Sequence, residues 1–199
     1  MSRYRRLGAA IVGAALLALL IPSVAQARVP AADPVVTLKV QSVNGSGCPT
    51  GSSVTTNVPD QTAFTVSFSQ FKVGGGEYRN CVLIVNVAVP AGWTYAVYRV
   101  DNRGYGVLDS GATGRILTTT WFTGFPWTLR IDQSFTGPFD DFWQAGAEAP
   151  SLTYAPCGAS YNLTLNDTLR VTGPTTSSME LFAQDVRVST IFYLRWRTC

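Results

Sequence analysis

Two adjacent acids, Asp140 and Asp141, sit between Phe139 and the pair Phe142-Trp143, with Glu148 close behind. Carboxylates beside aromatics suit a glycan hydrolase, because an apolar setting keeps one acid protonated while another ionises. The same acids could also offer oxygen ligands to Ca²⁺. The plainer reading is a solvated loop whose acids cap a short helical turn over 139–144. Small sandwich domains often lack the deep polar cleft a hydrolase needs, so the plainer reading is preferred and no catalytic residue is assigned. Asp101 and Asp109 flank Arg103-Gly104-Tyr105 and are expected to pair with Arg99 or Arg103 at a hairpin.

Aromatic side chains are the second candidate chemistry. Trp121-Phe122, Phe125-Pro126-Trp127 and Phe142-Trp143 flank stretches that read as loops. Flat aromatic faces stack on sugar rings and anchor protein partners. Trp121, Phe125, Trp127 and Trp143, with Asp140 and Asp141, are therefore the expected ligand-contacting residues. Trp93 and Trp196 are expected in the core.

The composition removes other chemistries. The 199 residues contain no histidine, which excludes Ser-His-Asp and Cys-His nucleophilic sites, a histidine general base and every imidazole-dependent metal site. No cofactor is implied and no metal site is assigned. The formal charge of +3 suggests an anionic partner, but its origin is local. Arg3, Arg5 and Arg6 precede an apolar run, Leu7 to Ile21, and Ala25-Gln26-Ala27 follows with small residues where a signal peptidase reads. Residues 1–27 thus read as a cleaved secretory signal. The run is too short to span a bilayer, so no stable membrane insertion is expected after cleavage. Three of the 15 basic residues leave with this segment and none of the 12 acidic ones does, so the mature chain is neutral. With no run of like charge left, nucleic acid is not an expected partner.

All four cysteines, Cys48, Cys81, Cys157 and Cys199, lie beyond the signal. An even count in an exported chain reads as two disulfides. Three pairings are possible. Cys48 with Cys81 and Cys157 with Cys199 each close a local loop, and this is the expected pairing. The wide spacings and the lack of a CxxC argue against a redox or metal role.

Period-two alternation marks the elements that must carry these residues. Phe64, Val66 and Phe68 alternate with Thr65, Ser67 and Ser69; Tyr161, Leu163, Leu165, Leu169 and Val171 alternate with polar neighbours; Val188, Phe192, Leu194 and Trp196 do the same. Residues 82–89 are nearly all apolar and read as a central strand. Further strands are expected at 35–43, 93–101, 115–122 and 127–135. Turn chemistry such as Asn44-Gly45-Ser46-Gly47, Gly74-Gly75-Gly76 and Gly137-Pro138 separates them. The expected fold is all-β, an antiparallel β-sandwich of about eight strands stapled by two disulfides. Its single domain spans 35–199, after a flexible lead-in at 28–34. Asn44, Asn162 and Asn166 head N-glycosylation sequons.

An ordered set of short motifs runs along the mature chain: Gly45-Ser46-Gly47-Cys48-Pro49, Arg79-Asn80-Cys81, Pro90-Ala91-Gly92-Trp93, Arg103-Gly104-Tyr105, Phe135-Thr136-Gly137-Pro138, Pro156-Cys157 and Leu194-Arg195-Trp196-Arg197-Thr198-Cys199. The set resembles a small secreted four-cysteine domain family of unknown function, found in actinobacteria and filamentous fungi. The resemblance implies secretion and two disulfides and transfers no catalytic residue. The expected role is a secreted, non-enzymatic protein that binds a glycan or protein through loop aromatics. Two alternatives stand beside it. One is a structural or toxin-assembly component whose arm, residues 28–43, adds a strand to a partner's sheet. The other is a glycan hydrolase using the paired carboxylates.

Overall fold

The computed structural model describes residues 34–57, 61–126, 128–158, 160–181 and 190–199. The expected export segment, the expected lead-in up to residue 33, Trp127 and the Arg187–Ser189 end of the last expected strand lie outside them. Among the described residues every regular element is a strand: β1 (Thr37–Asn44), β2 (Ser53–Asn57), β3 (Ala63–Phe68), β4 (Lys72–Gly74), β5 (Tyr78–Ala88), β6 (Trp93–Leu108), β7 (Thr113–Phe122), β8 (Leu129–Thr136), β9 (Phe139–Glu148), β10 (Tyr161–Thr172), β11 (Ser178–Glu180) and β12 (Thr190–Thr198). No described helix is long and apolar enough to cross a membrane.

The strands form two antiparallel sheets. One has the order β1-β5-β10-β7-β8, and the other runs β2-β3-β12-β6-β11-β4 with β9 added against β6. The eight expected strands are β1, β3, β5, β6, β7, β8, β10 and β12. The four that escaped are β2, β4 and β11, each at most five residues long, and β9. The nearly continuous apolar run becomes β5, flanked by β1 and β10. Both expected disulfides form, Cys48–Cys81 and Cys157–Cys199.

Two expectations about local structure are corrected. The 139–144 segment is not a helical turn. It opens β9, which pairs with β6 from Leu108↔Phe139 to Arg99↔Glu148. Phe139, Trp143, Ala145 and Ala147 alternate toward the core, and only Asp141 interrupts the row. Nor does Arg103-Gly104-Tyr105 make a hairpin, since β6 runs through it for 16 residues. A Cβ on Gly104 would lie 2.0 Å from the Glu180 carbonyl oxygen and 2.2 Å from the Trp143 ring. Gly104 is therefore a packing residue that lets β11 and Trp143 close on β6. Gly104→Ala is expected to cost about 3 kcal/mol in urea denaturation, the upper range for overpacking. A loss under about 1 kcal/mol would contradict this assignment.

The inner faces make one apolar layer. Phe64 stacks on Phe192 at 4.8 Å, Tyr95 meets Phe122 edge-on at 5.4 Å, and Trp143 packs on Phe135 at 5.6 Å. A polar chain interrupts this layer, with Asp167 as its acid. That residue occupies the inward position between Leu165 and Leu169 on β10 and is 2% exposed. The Thr118 hydroxyl donates to its Oδ1 at 2.5 Å, and Asn102 Nδ2 donates to that hydroxyl at 2.6 Å. This chain crosses from one sheet to the other, since β7 and β10 belong to the first and β6 to the second. Burial pushes the Asp167 carboxyl up to about 6, against the Thr118 hydrogen bond, which works the other way.

Candidate functional site

The sequence candidates fall in separate places. Asp140 and Asp141 are consecutive on β9, and consecutive strand residues point to opposite faces. Asp140 accepts a hydrogen bond from the Tyr105 hydroxyl, which pushes that phenol's pKa up. Asp141 Oδ1 accepts the Phe142 backbone N–H at 2.7 Å. Glu148 shares Asp140's face but lies eight positions along, roughly 26 Å at strand spacing. The acids therefore do not converge on one bond. Among the described residues no three Asp, Glu, Cys or His side chains gather to hold a metal.

Trp143 is corrected from a loop aromatic to a core residue, 4% exposed, because β9 turns its side chain inward. Trp121 is half-buried on the outer face of the five-stranded sheet, opposite Thr164. Phe125 sits in the loop after β7 and packs edge-on against Phe122 and Tyr161. Trp127 lies outside the described residues. Trp93 is half-buried, and Trp196 packs against the core while its indole N–H donates to the Gln61 carbonyl at 3.0 Å. Asp101 pairs with Arg99 as expected, but within a strand. Asp109 instead accepts from the Thr176 hydroxyl at 2.5 Å and the Ser177 hydroxyl at 3.1 Å. Of the sequons, Asn44 is exposed, Asn162 Oδ1 accepts from Asn86 at 2.8 Å, and Asn166 is half-buried in the central strand β10.

A denser cluster lies on the outer face of the seven-stranded sheet, where β9, β6 and β12 lie side by side. Strand alternation and register put Arg99, Asp101 and Arg103 of β6 directly across from Glu148, Gly146 and Gln144 of β9. On the other edge of β6, Tyr193 of β12 lies across from Arg99. The register slips there, between Tyr193 and Leu194. That irregularity brings Tyr98 onto the same outer face, 6.0 Å from the Tyr193 ring.

These side chains interlock. Arg99 Nε lies 3.0 and 3.1 Å from the two Asp101 oxygens, and Arg99 also reaches Glu148 at 3.8 Å. The Arg99 guanidinium lies over the Tyr193 ring at 5.5 Å, and Arg195 lies over Tyr98 at 5.1 Å. Farther along, Arg197 lies over Tyr154 at 3.9 Å. The Asp101 hydrogen bond and charge hold the Arg99 guanidinium's pKa above its usual value. Burial and then the Asp101 charge push the Tyr193 phenol up.

Gly146 opens the middle of this face. A Cβ there would lie 2.4 Å from Asp101 Oδ1, so only glycine leaves room for that carboxylate to lie flat across β9. The result is an open groove of about 460 Å³ lined by Arg99, Asp101, Gln144, Gly146, Ala147 and Glu148. Planar amide, carboxylate and guanidinium groups edge it, and tyrosine rings continue it. Such a surface offers donors and acceptors in fixed directions beside flat apolar faces. Sequence reasoning missed it, because its residues come from 98–103, 144–148 and 193–197 and no local spacing joins them. The one available signal was the Tyr/Arg alternation of the terminal strand, Tyr193-Leu194-Arg195-Trp196-Arg197.

Comparison with known proteins gives a family and loose structural likenesses. The family model described as "Domain of unknown function (DUF4360)" matches residues 34–199. An "Uncharacterized secreted protein" of Arthroderma benhamiae is 28% identical over 167 residues, covering 78% of this chain and 68% of that protein. Among solved structures, TmCBM61 in complex with β-1,4-galactotriose aligns with a TM-score of 0.33 and 14% identity, over 79% of this chain and 88% of that one. Eiger TNF from S. frugiperda aligns with a TM-score of 0.25 and 19% identity, over 55% of this chain and 64% of that one. At these TM-scores neither likeness carries ligand chemistry across.

Proposed function

Because this chain belongs over residues 34–199 to the DUF4360 family, a domain of unknown function, its chemistry has to be sought on its own surface, and we propose that it is a secreted, non-enzymatic glycan-binding protein using the outer face of β9, β6 and β12. The observation that carries this reading is the groove over Gly146, with Tyr98 and Tyr193 set beside Arg99, Asp101, Gln144 and Glu148. Sugar rings present C–H faces that lie on aromatic rings and vicinal hydroxyls that pair with planar polar groups. Secretion is supported by the export pattern of residues 1–27, by the two disulfides and by the secreted fungal relative.

This reading moves the binding surface from loop aromatics to strand residues. The competing proposals lose support from the same geometry. The acid pair points to opposite sides of β9, which disfavours a hydrolase. Residues 37–43 of the N-terminal arm are already paired to β5, from Thr37↔Ala88 to Val43↔Leu83, which disfavours strand donation to a partner.

Removing one aromatic platform tests the site. Tyr193→Ala is expected to weaken binding to the best array-identified glycan at least tenfold, about 1.4 kcal/mol, as read by calorimetry on the secreted chain. Trp121→Ala, on the opposite sheet, is expected to change it less than twofold. Unchanged affinity in Tyr193→Ala, with folding intact by circular dichroism, would remove this face from consideration.

A further inference from the structure

We infer that the polymer held by this face is a carboxylated polysaccharide, a polyuronate, a conclusion that rests on the glycan-binding reading above. The chain is neutral after export, yet its charge is not evenly spread. Arg99, Arg103, Arg195 and Arg197 point out of the same face, against two carboxylates, Asp101 and Glu148. Arg99 bridges both carboxylates, and Asp101 is further held by a side-chain hydrogen bond with Tyr193. Arg103, Arg195 and Arg197 form no ion pair among the described residues. The face therefore carries four guanidiniums against two carboxylates, and three of the four stand outside any ion pair among the described residues.

Their setting points to a carboxylate-bearing sugar and not to an arbitrary anion. Arg195 and Arg197 each lie over a tyrosine ring, Tyr98 and Tyr154, so guanidiniums and aromatic rings alternate. Tyr193, Arg195 and Arg197 occupy alternate positions on β12, a run of about 14 Å along the strand. A pyranose could lie on a ring while the carboxylate of the next unit enters a fork. The guanidinium fork matches a carboxylate bidentately, a geometry a lysine cannot reproduce. The face already seats one carboxylate this way: Asp101 lies between Nε and Nη2 of Arg99, at 3.0 Å to each. A polyuronate repeats that contact along its length.

The test compares four probes on the full secreted chain: polygalacturonate, its fully methyl-esterified form, dextran sulfate and a neutral galactan. Affinity electrophoresis is expected to show polygalacturonate bound at least tenfold tighter than the other three. The double variant Arg195→Gln/Arg197→Gln is expected to lose at least tenfold for polygalacturonate. Arg195→Lys/Arg197→Lys, which keeps charge but not the fork, is expected to lose most of the same affinity. Equal binding of the methyl ester or the galactan would overturn the polyuronate assignment while leaving glycan binding in place. Dextran sulfate binding as tightly as polygalacturonate would also overturn it, reducing the contact to general polyanion attraction. Binding to none of the four by a folded chain would remove the inference, and an empty glycan array would remove the reading beneath it as well.

Discussion

Asp167→Asn is expected to stabilise the protein at pH 7 to 8 by up to about 3 kcal/mol and to abolish most of the pH dependence of stability between pH 4 and 7. Among the described residues Asp167 is the lone acid of the inter-sheet layer, and burial pushes its carboxyl up to about 6, against an ordinary 3.8. Between those values the folded chain holds a proton that the unfolded chain has released. Stability from this group is therefore complete below about pH 4 and is lost as pH rises through 6. The cause is desolvation, which outweighs the Thr118 hydroxyl's hydrogen bond to the charged form. Asparagine keeps an acceptor for that hydroxyl and never ionises. The window is clear of the other shifted carboxyl. Arg115 and Arg130 hold the exposed Asp132 down at about 2, so its contribution changes below pH 4. Urea titrations at pH 4, 5, 6 and 7 read the effect. A wild-type stability that is flat or rising over this range, or a variant that keeps the slope, would contradict the buried-acid account.

Removing the Cys157–Cys199 bridge as Cys157→Ser/Cys199→Ser is expected to cost about 4 kcal/mol and to lower Tm by roughly 8–16 °C. The bridge closes a loop with a sequence separation of 42 residues, which sets the loop-entropy term. The loss is a large share of the 5–15 kcal/mol that typically holds a domain folded. More than entropy is at stake. Segment 149–158 caps the exposed edge of β6 through Ala149 N–H to the Tyr98 carbonyl at 2.8 Å and Ala155 N–H to the Tyr95 carbonyl at 2.9 Å. Cys199, the last residue, donates its N–H to the Gly92 carbonyl at 2.8 Å. Without the bridge both ends fray, and Arg197 over Tyr154 frays with them. Scanning calorimetry of the variant, with the Cys48–Cys81 bridge intact, reads the cost. A Tm drop under about 3 °C would show that strand pairing alone holds this end.

How much of this was legible follows from where the physical signals are local. Alternation and burial are local, so β3, β5, β10 and β12 could be read directly, as could a disulfide pairing that closes short loops. β9 failed because Asp141 interrupts its inward row at the point where Phe139 and Trp143 would have shown the period. β6 was cut short because Gly104 resembles turn chemistry, while its role is to admit Trp143 and the Glu180 carbonyl. β4 and β11, of three residues each, are too short to show any period. Asp167 could be seen only as a gap in a leucine row; its tie to Thr118 and Asn102 depends on two sheets facing each other. The proposed binding face lay further out of reach. Tryptophans invited attention, but Trp143 went to the core, and the groups proposed for binding are tyrosines and arginines brought together by register.

The most direct measurement is amide and side-chain chemical-shift mapping of the isotopically labelled chain titrated with a short oligogalacturonate. The expected result is saturable shifts concentrated at Tyr98, Arg99, Asp101, Gln144, Gly146, Tyr193 and Arg195, with the five-stranded sheet unmoved. Shifts centred instead on Trp121 and Phe125, or on Asp140 and Phe142, or a spectrum unchanged at millimolar ligand, would contradict the account.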